Sequence, residues 1–237
     1  MQPTFKLPSP ETGTEYWIHI DAPDAPGPWT AVLVLDGDDM FKPAVEARAK
    51  AGVLPPLLVV GIGYGGSFTK PANQRVRDYT PQRAHDEPTS GGAEKFRQFL
   101  QQTLWPDLAQ RYPIRDDRRG LAGYSLGALL VLDALFQPKP FFTHHLAGSP
   151  SIWWNDAAIL KQVAAVHARE PALRGKLFLS VGDKDSESMT GDLIRLEKQL
   201  AALAFPRLEA SVRRFPGRDH YNALPDAFTA GLGALFG

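Results

Sequence analysis

Short hydrophobic runs alternate with stretches of helical period along most of the chain. Tyr16–Ile20 alternates apolar and polar positions, as a half-buried strand does. Pro26-Gly27-Pro28 marks a turn. The runs Ala31–Leu35 and Leu57–Ile62 are apolar without alternation, which predicts strands covered on both faces. Asp36-Gly37 ends the first of these runs, and Val34–Phe41 reads as a strand end and a loop. Gly66–Gly92 has no period and is rich in Pro, Arg and Asp, so it reads as a long loop of the kind that carries function. From Ala93 a helical period returns, with Phe96, Phe99, Leu100, Leu104, Trp105 and Leu108 on one face. A short strand at Gly120–Gly123 precedes Ser125 and an apolar helix to about Phe136. A strand opening at His144 and His145 ends in the loop Ser149–Trp154. Helix over Ala157–Ala168, strand over Lys176–Asp183 and helix over Leu193–Leu203 follow. A last strand at Leu208–Phe215 and a helix at Ala223–Phe236 complete the chain. Strands alternating with helices predict one α/β domain over residues 1–237, a mainly parallel twisted sheet with helices on both faces.

Composition narrows the possible functions. The 237 residues are 43% hydrophobic, enough for a sizeable core. The formal net charge is zero, with 26 basic and 26 acidic residues, and no basic run suggests a nucleic-acid partner. Cysteine is absent, which excludes disulfides and thiolate metal sites. No apolar run approaches the roughly 18 residues that span a bilayer. The opening Met1–Gly13 lacks the charged start and apolar core of a signal peptide. A cytoplasmic location is expected, or a periplasmic one had an export signal been trimmed.

The candidate chemistry centres on Gly123-Tyr124-Ser125-Leu126-Gly127. A Gly-x-Ser-x-Gly between a short strand and an apolar helix is the context of a nucleophile elbow, in which glycines relieve crowding around a strained serine. A serine hydroxyl needs a base. In this chain order the base follows the last strand, where His220 stands, and His19, His85, His144, His145 and His167 read as structural or solvated. The base needs an orienting acid at the end of the preceding strand. Asp183, Asp185 and Glu187 are available there, with Asp185 favoured and Asp183 next. The amides of Leu126 and Asp38 are expected to form the oxyanion hole. Gly61–Gly66 matches a dinucleotide-binding Gly-x-Gly-x-x-Gly, but Ser67–Gln74 does not start the required helix. It reads instead as a loop beside the site, with Tyr64 facing substrate. With no His-x-x-x-His helix or carboxylate cluster, neither a metal nor an organic cofactor is expected.

These pieces together resemble the "putative esterase" family of α/β-hydrolases. The matching segments are Leu33–Phe41, Val59–Gly65, Arg75–Pro81, Gly91–Tyr112, Leu121–Phe136, His144–Asn155, Phe178–Asp185 and Phe215–Phe228. Arg75-x-x-Asp78-Tyr79-Thr80-Pro81 and Ser149-Pro150-Ser151-Ile152-Trp153-Trp154 are most similar to the branch of enterobactin and salmochelin trilactone esterases. Feruloyl esterases and S-formylglutathione hydrolase are other members. The resemblance implies Ser125 as nucleophile and His220 as base, and leaves a Ser–His dyad open beside a triad with Asp185. It also implies that Arg75 and Asp78 shape the substrate pocket, with Asp78 holding the arginine, and that Trp153 or Trp154 stacks on an aromatic acyl group. The expected function is a serine esterase working through an acyl-enzyme on Ser125, with a siderophore trilactone or an aryl ester as small-molecule substrate. An acyltransferase on the same scaffold, or a non-catalytic binding module, would share the fold.

Overall fold

The computed structural model describes residues 4–237. Eight strands form one sheet: β1 (Thr4–Pro8), β2 (Glu15–Asp21), β3 (Trp29–Val34), β4 (Leu57–Gly63), β5 (Ile114–Tyr124), β6 (His144–Gly148), β7 (Arg174–Gly182) and β8 (Arg207–Phe215). Their order in space is β1-β2-β4-β3-β5-β6-β7-β8. β1 and β2 run antiparallel to their neighbours, and all other pairs are parallel. This is the mainly parallel sheet expected from the alternating pattern, in the α/β-hydrolase arrangement that the resemblance implies.

The central strands bury both faces because helices cover both. Ala31, Leu33 and Leu35 face one hydrophobic cluster. Val32 and Val34 face the other. The second cluster is closed by α1 (Gly37–Lys50) and α8 (Leu224–Phe236), through Met40, Ala44, Ala47, Phe228 and Leu232. The first is closed by α3 (Ala93–Gln98), α4 (Trp105–Arg111), α5 (Leu126–Leu135), α6 (Trp154–Arg169) and α7 (Glu187–Leu203). A π-helical turn, Phe99–Leu104, joins α3 to α4. It lies directly before Trp105-Pro106, where the proline nitrogen has no hydrogen to donate.

Two stretches on the site's side of the sheet differ from the sequence expectation. Residues 37–41, read as loop, open the fourteen-residue helix α1. Met40, Ala44 and Ala47 do recur at helical spacing there, but Gly37 and Pro43 mask the signal. The long loop 66–92 contains a short helix, α2 (Arg75–Tyr79), and an isolated bridge between Ala84 and Glu87. Among the described residues no helix is long and apolar enough to cross a membrane.

The strand order places the site. The chain runs outward from β3 to β4 but in the opposite direction from β5 to β8. The crevice between the carboxyl ends of β3 and β5 is therefore a topological switch point, where open α/β sheets bind ligands. The loop carrying Asp36–Asp38 lies on one side of it and Ser125 on the other.

Candidate active site

Ser125 links β5 to α5 with φ 55° and ψ −119°. A non-glycine residue in that region carries about 1–3 kcal/mol of strain. A side chain on Gly123 would place its Cβ 2.5 Å from the Gly127 carbonyl, so the turn closes only with glycine there. The Ser125 amide donates to the Gly148 carbonyl at 2.9 Å, and the Ser151 amide to the Ser125 carbonyl at 3.1 Å. Both bonds pin the elbow to the end of β6.

His220 and Asp185 meet although 35 residues separate them. His220 Nδ1 lies 2.9 Å from Asp185 Oδ2. The Asp185 side chain is only 3% exposed, against 26% for His220. The other carboxylate oxygen, Oδ1, accepts the Ser186 amide at 2.8 Å. Asp183 is engaged elsewhere: its Oδ1 accepts the Gly217 amide at 2.7 Å. Glu187 stands in the first turn of α7. The acid loop and the base loop are laced together by two further amide bonds, Asp183 to the Phe215 carbonyl and Lys184 to the Arg218 carbonyl.

Tyr124, the residue before the serine, ties the elbow to this base loop. Its hydroxyl donates to the His220 carbonyl at 2.7 Å and sits 3.0 Å from the Ser149 hydroxyl. Its ring centroid is 5.3 Å from the imidazole. A bond of this kind is worth about 1 kcal/mol. Tyr124→Phe is expected to lower kcat for a simple ester about tenfold through a less well placed imidazole. KM should change little; steady-state kinetics that moved KM instead would assign Tyr124 to substrate binding.

The amides of Asp39 and Met40 donate to the Asp36 carbonyl in the first turn of α1. Those of Gly37 and Asp38 precede that ladder, as N-terminal helix amides do. The Asp38 carboxylate accepts the Tyr64 amide and lies 3.6 Å from His19 Nε2. These contacts hold its pKa below the ordinary range, against burial that would raise it. Gly63 makes the approach possible, since a Cβ there would collide with that carboxylate. The Gly61–Gly66 motif thus ends a strand and packs against α1, and the next helix starts only at Arg75.

The predicted partnership of Arg75 with Asp78 is corrected by the structure. Arg75 instead forms a two-pronged pair with Asp36, Nε to Oδ1 at 2.8 Å and Nη2 to Oδ2 at 3.0 Å. Asp36 is wholly buried, and burial pushes its carboxyl up in opposition to the guanidinium. Asp78 has no exposed surface and accepts from Tyr16, Tyr64 and Arg77. It therefore orders the pocket wall and is out of a substrate's reach. Tyr64, also predicted to face substrate, is buried with its hydroxyl committed to Asp78 at 2.9 Å. Trp153 is 47% exposed and lines a cavity with Ser125, whereas Trp154 packs on the core and donates toward the Gln82 carbonyl.

Among the described residues, no histidine other than His220 lines either cavity at Ser125. Burial pushes His144 down to about 4 and His145 to about 3, so both are neutral near pH 7. His167 packs edge-on against Phe205.

A cavity of about 360 Å³ opens over Ser125 and His220, walled by Met40, Phe68, Arg75 and Leu224. Among the described residues Ser125 Oγ has one hydrogen-bond partner, the Ser151 hydroxyl at 3.4 Å, and none to His220. Sequence reading missed Ser151, Tyr124 and Asp36 as parts of this site. Ser151 stood inside a quoted motif, but the contact of Asp36 with Arg75 crosses 39 residues and leaves no local trace.

The family model described as "Putative esterase" matches residues 9–235. The chain belongs to this esterase family. It is 31% identical over 236 residues to the ferri-bacillibactin esterase BesA of Bacillus subtilis, covering 89% of this chain and 81% of that protein. Among solved structures, the BES protein of Bacillus cereus superimposes with a TM-score of 0.86 at 27% identity, covering 98% of this chain and 93% of that one. A complex of the enterobactin hydrolase IroE with DFP gives a TM-score of 0.81 at 26% identity, with the same coverage. This esterase is accordingly a serine hydrolase of carboxylic esters, on the α/β-hydrolase fold.

Proposed function

We propose that this esterase opens the ester bonds of a siderophore trilactone, with Ser125 as nucleophile, His220 as general base and Asp185 as the acid that orients it. The observation that carries the assignment is the Asp185–His220 pair beside a strained serine at the mouth of one cavity. Because Nδ1 faces Asp185, Nε2 is left to take the serine proton. Ser125 Oγ turns from Ser151 toward the imidazole when substrate binds; catalytic hydrogen bonds are often formed only in the complex. Attack on the ester carbonyl gives a tetrahedral oxyanion, received by the amides of Leu126 and Asp38. His220 then protonates the departing alcohol, and water releases the acyl group from Ser125 by the same route.

The siderophore substrate rests on the names of the relatives, which act on ferri-bacillibactin and on enterobactin, and on the shape of the pocket. Asp36 occupies Nε and Nη2 of Arg75 and leaves Nη1 as a donor for a phenolic oxygen. Product analysis by mass spectrometry on a mixture of a tricatechol trilactone, methyl ferulate and p-nitrophenyl butyrate tests this. The expected result is ring opening of the trilactone at least tenfold faster than cleavage of the simple esters. Cleavage of the simple esters alone would remove the siderophore role and leave the serine esterase.

A further inference from the structure

Every polar group of Asp36 is claimed, and α2 makes two of the three claims. The Asp36 amide donates to the Tyr79 hydroxyl at 2.9 Å. Its carboxylate is gripped by the two prongs of Arg75. Its carbonyl accepts the amides of Asp39 and Met40. Arg75 and Tyr79 stand four residues apart, so one face of α2 presents both. The guanidinium carbon lies 5.7 Å from the Tyr79 ring centroid. Tyr79 has no exposed surface. Burial, with the Asp36 carboxylate close by, pushes its hydroxyl far up, so it stays neutral and keeps an oxygen to accept with.

α2 is itself anchored. Its Asp78 is bound by Tyr16 on β2 and by Tyr64 just past β4. The Arg77 carbonyl accepts the Gly92 amide at 2.8 Å, and Thr80 accepts the amides of Gly91 and Ala93. Asp36, by contrast, has φ 53° and ψ 45°, a left-handed turn that a non-glycine residue keeps only where its surroundings enforce it. That turn decides where the next two amides, of Gly37 and Asp38, point. The chain has no slack on its other side: a Cβ on Gly37 would stand 2.5 Å from the Ile62 nitrogen.

We propose that Tyr79 is a positioning residue of the oxyanion hole. With Arg75 it holds Asp36 in its left-handed turn and so aims the Asp38 amide at the carbonyl oxygen of the ester. Tyr79 lies within the wall and touches no substrate. The inference rests on the serine mechanism proposed above, with the Asp38 amide as a donor. It gives α2 a part in the cleavage of every ester, whatever acyl group the ester carries.

Tyr79→Phe tests it, since it removes one hydroxyl and keeps the ring. On p-nitrophenyl butyrate kcat should fall about tenfold with KM within about twofold of wild type, because a misaimed oxyanion donor is felt in the transition state. An aliphatic trifluoromethyl ketone provides a second readout. Ser125 Oγ bonds to its carbonyl carbon, the serine proton passes to His220, and the carbonyl π pair becomes an oxyanion in the hole. Its Ki should rise about tenfold in Tyr79→Phe, while the Ki of the corresponding methyl ketone, which stays trigonal, should not change. Asp36→Asn weakens the other grip and should move kcat and the trifluoromethyl ketone Ki in the same directions. Thr143→Val is the stability control. It removes a hydroxyl that likewise accepts a backbone amide, that of Arg119 at 2.9 Å, at the opposite end of the sheet. Both Tyr79→Phe and Thr143→Val should lower the unfolding temperature by a few degrees, but Thr143→Val should leave kcat and Ki at wild-type values. A less stable Tyr79→Phe with unchanged kcat and Ki would overturn the proposal. So would equal losses of kcat in Tyr79→Phe and Thr143→Val. A wild-type enzyme that the trifluoromethyl ketone fails to inhibit would strike the serine mechanism itself.

Discussion

Ser125→Ala is expected to lower kcat for any ester by about 10⁴-fold or more, with the fold intact. Removing the nucleophile of a serine hydrolase removes the acyl-enzyme route, and what remains is the contribution of the oxyanion hole and of binding. The change also deletes only a hydroxyl whose one hydrogen bond among the described residues is a 3.4 Å contact to Ser151. Alanine keeps the Cβ that already tolerates φ 55°. The midpoint of thermal unfolding should therefore move by no more than a few degrees. Mass spectrometry of enzyme treated with a fluorophosphonate should show a single adduct on Ser125 in the wild type and none in the variant. A folded Ser125→Ala protein that retained its turnover would remove this serine from the chemistry.

Asp185→Asn is the second large effect, expected at about 10³- to 10⁴-fold in kcat with KM near the wild-type value. An amide in place of the buried carboxylate can still touch Nδ1, but it favours the wrong tautomer and no longer stabilises the imidazolium. Asp183→Asn makes the comparison. Asp183 accepts the Gly217 amide at the surface, and an amide oxygen can keep that bond. Its kcat should fall by less than about threefold, the effect of one modest hydrogen bond. Full activity in Asp185→Asn would reduce the apparatus to Ser125 and His220. A large loss in Asp183→Asn with none in Asp185→Asn would exchange the two carboxylates.

The parts of the fold that could be read from the chain are those whose signal is local. β3 and β4 are buried on both faces and appear as short apolar runs without alternation. The elbow shows itself through Gly123, where a Cβ would meet the Gly127 backbone at 2.5 Å, and through Gly127, which passes close to Leu35 and Asp36. Asp185 and His220 could be placed by chain order, since each follows the carboxyl end of its strand. What escaped depends on partners distant in sequence, or on elements with a weak apolar face. β1 is half exposed at the sheet edge, so its alternation carries little hydrophobic contrast. The amino half of β5, Arg115–Arg119, is polar and was not read as strand. The family resemblance implies that Asp78 holds Arg75, but Tyr16, Tyr64 and Arg77 draw its carboxylate into the wall. Asp36 could claim the arginine because its left-handed backbone, φ 53°, turns the chain at the end of β3 into the crevice.

That bidentate contact between Asp36 and Arg75 bears on how a substrate is drawn in. A guanidinium already matched by a buried carboxylate projects the field of a dipole, which decays over a shorter distance than that of a lone charge. It offers no long-range steering to an anion diffusing past. Selection by Arg75 therefore operates only after contact, through the direction of its remaining N–H groups. Added salt, which screens charges about 10 Å apart at 0.1 M, has little there to weaken.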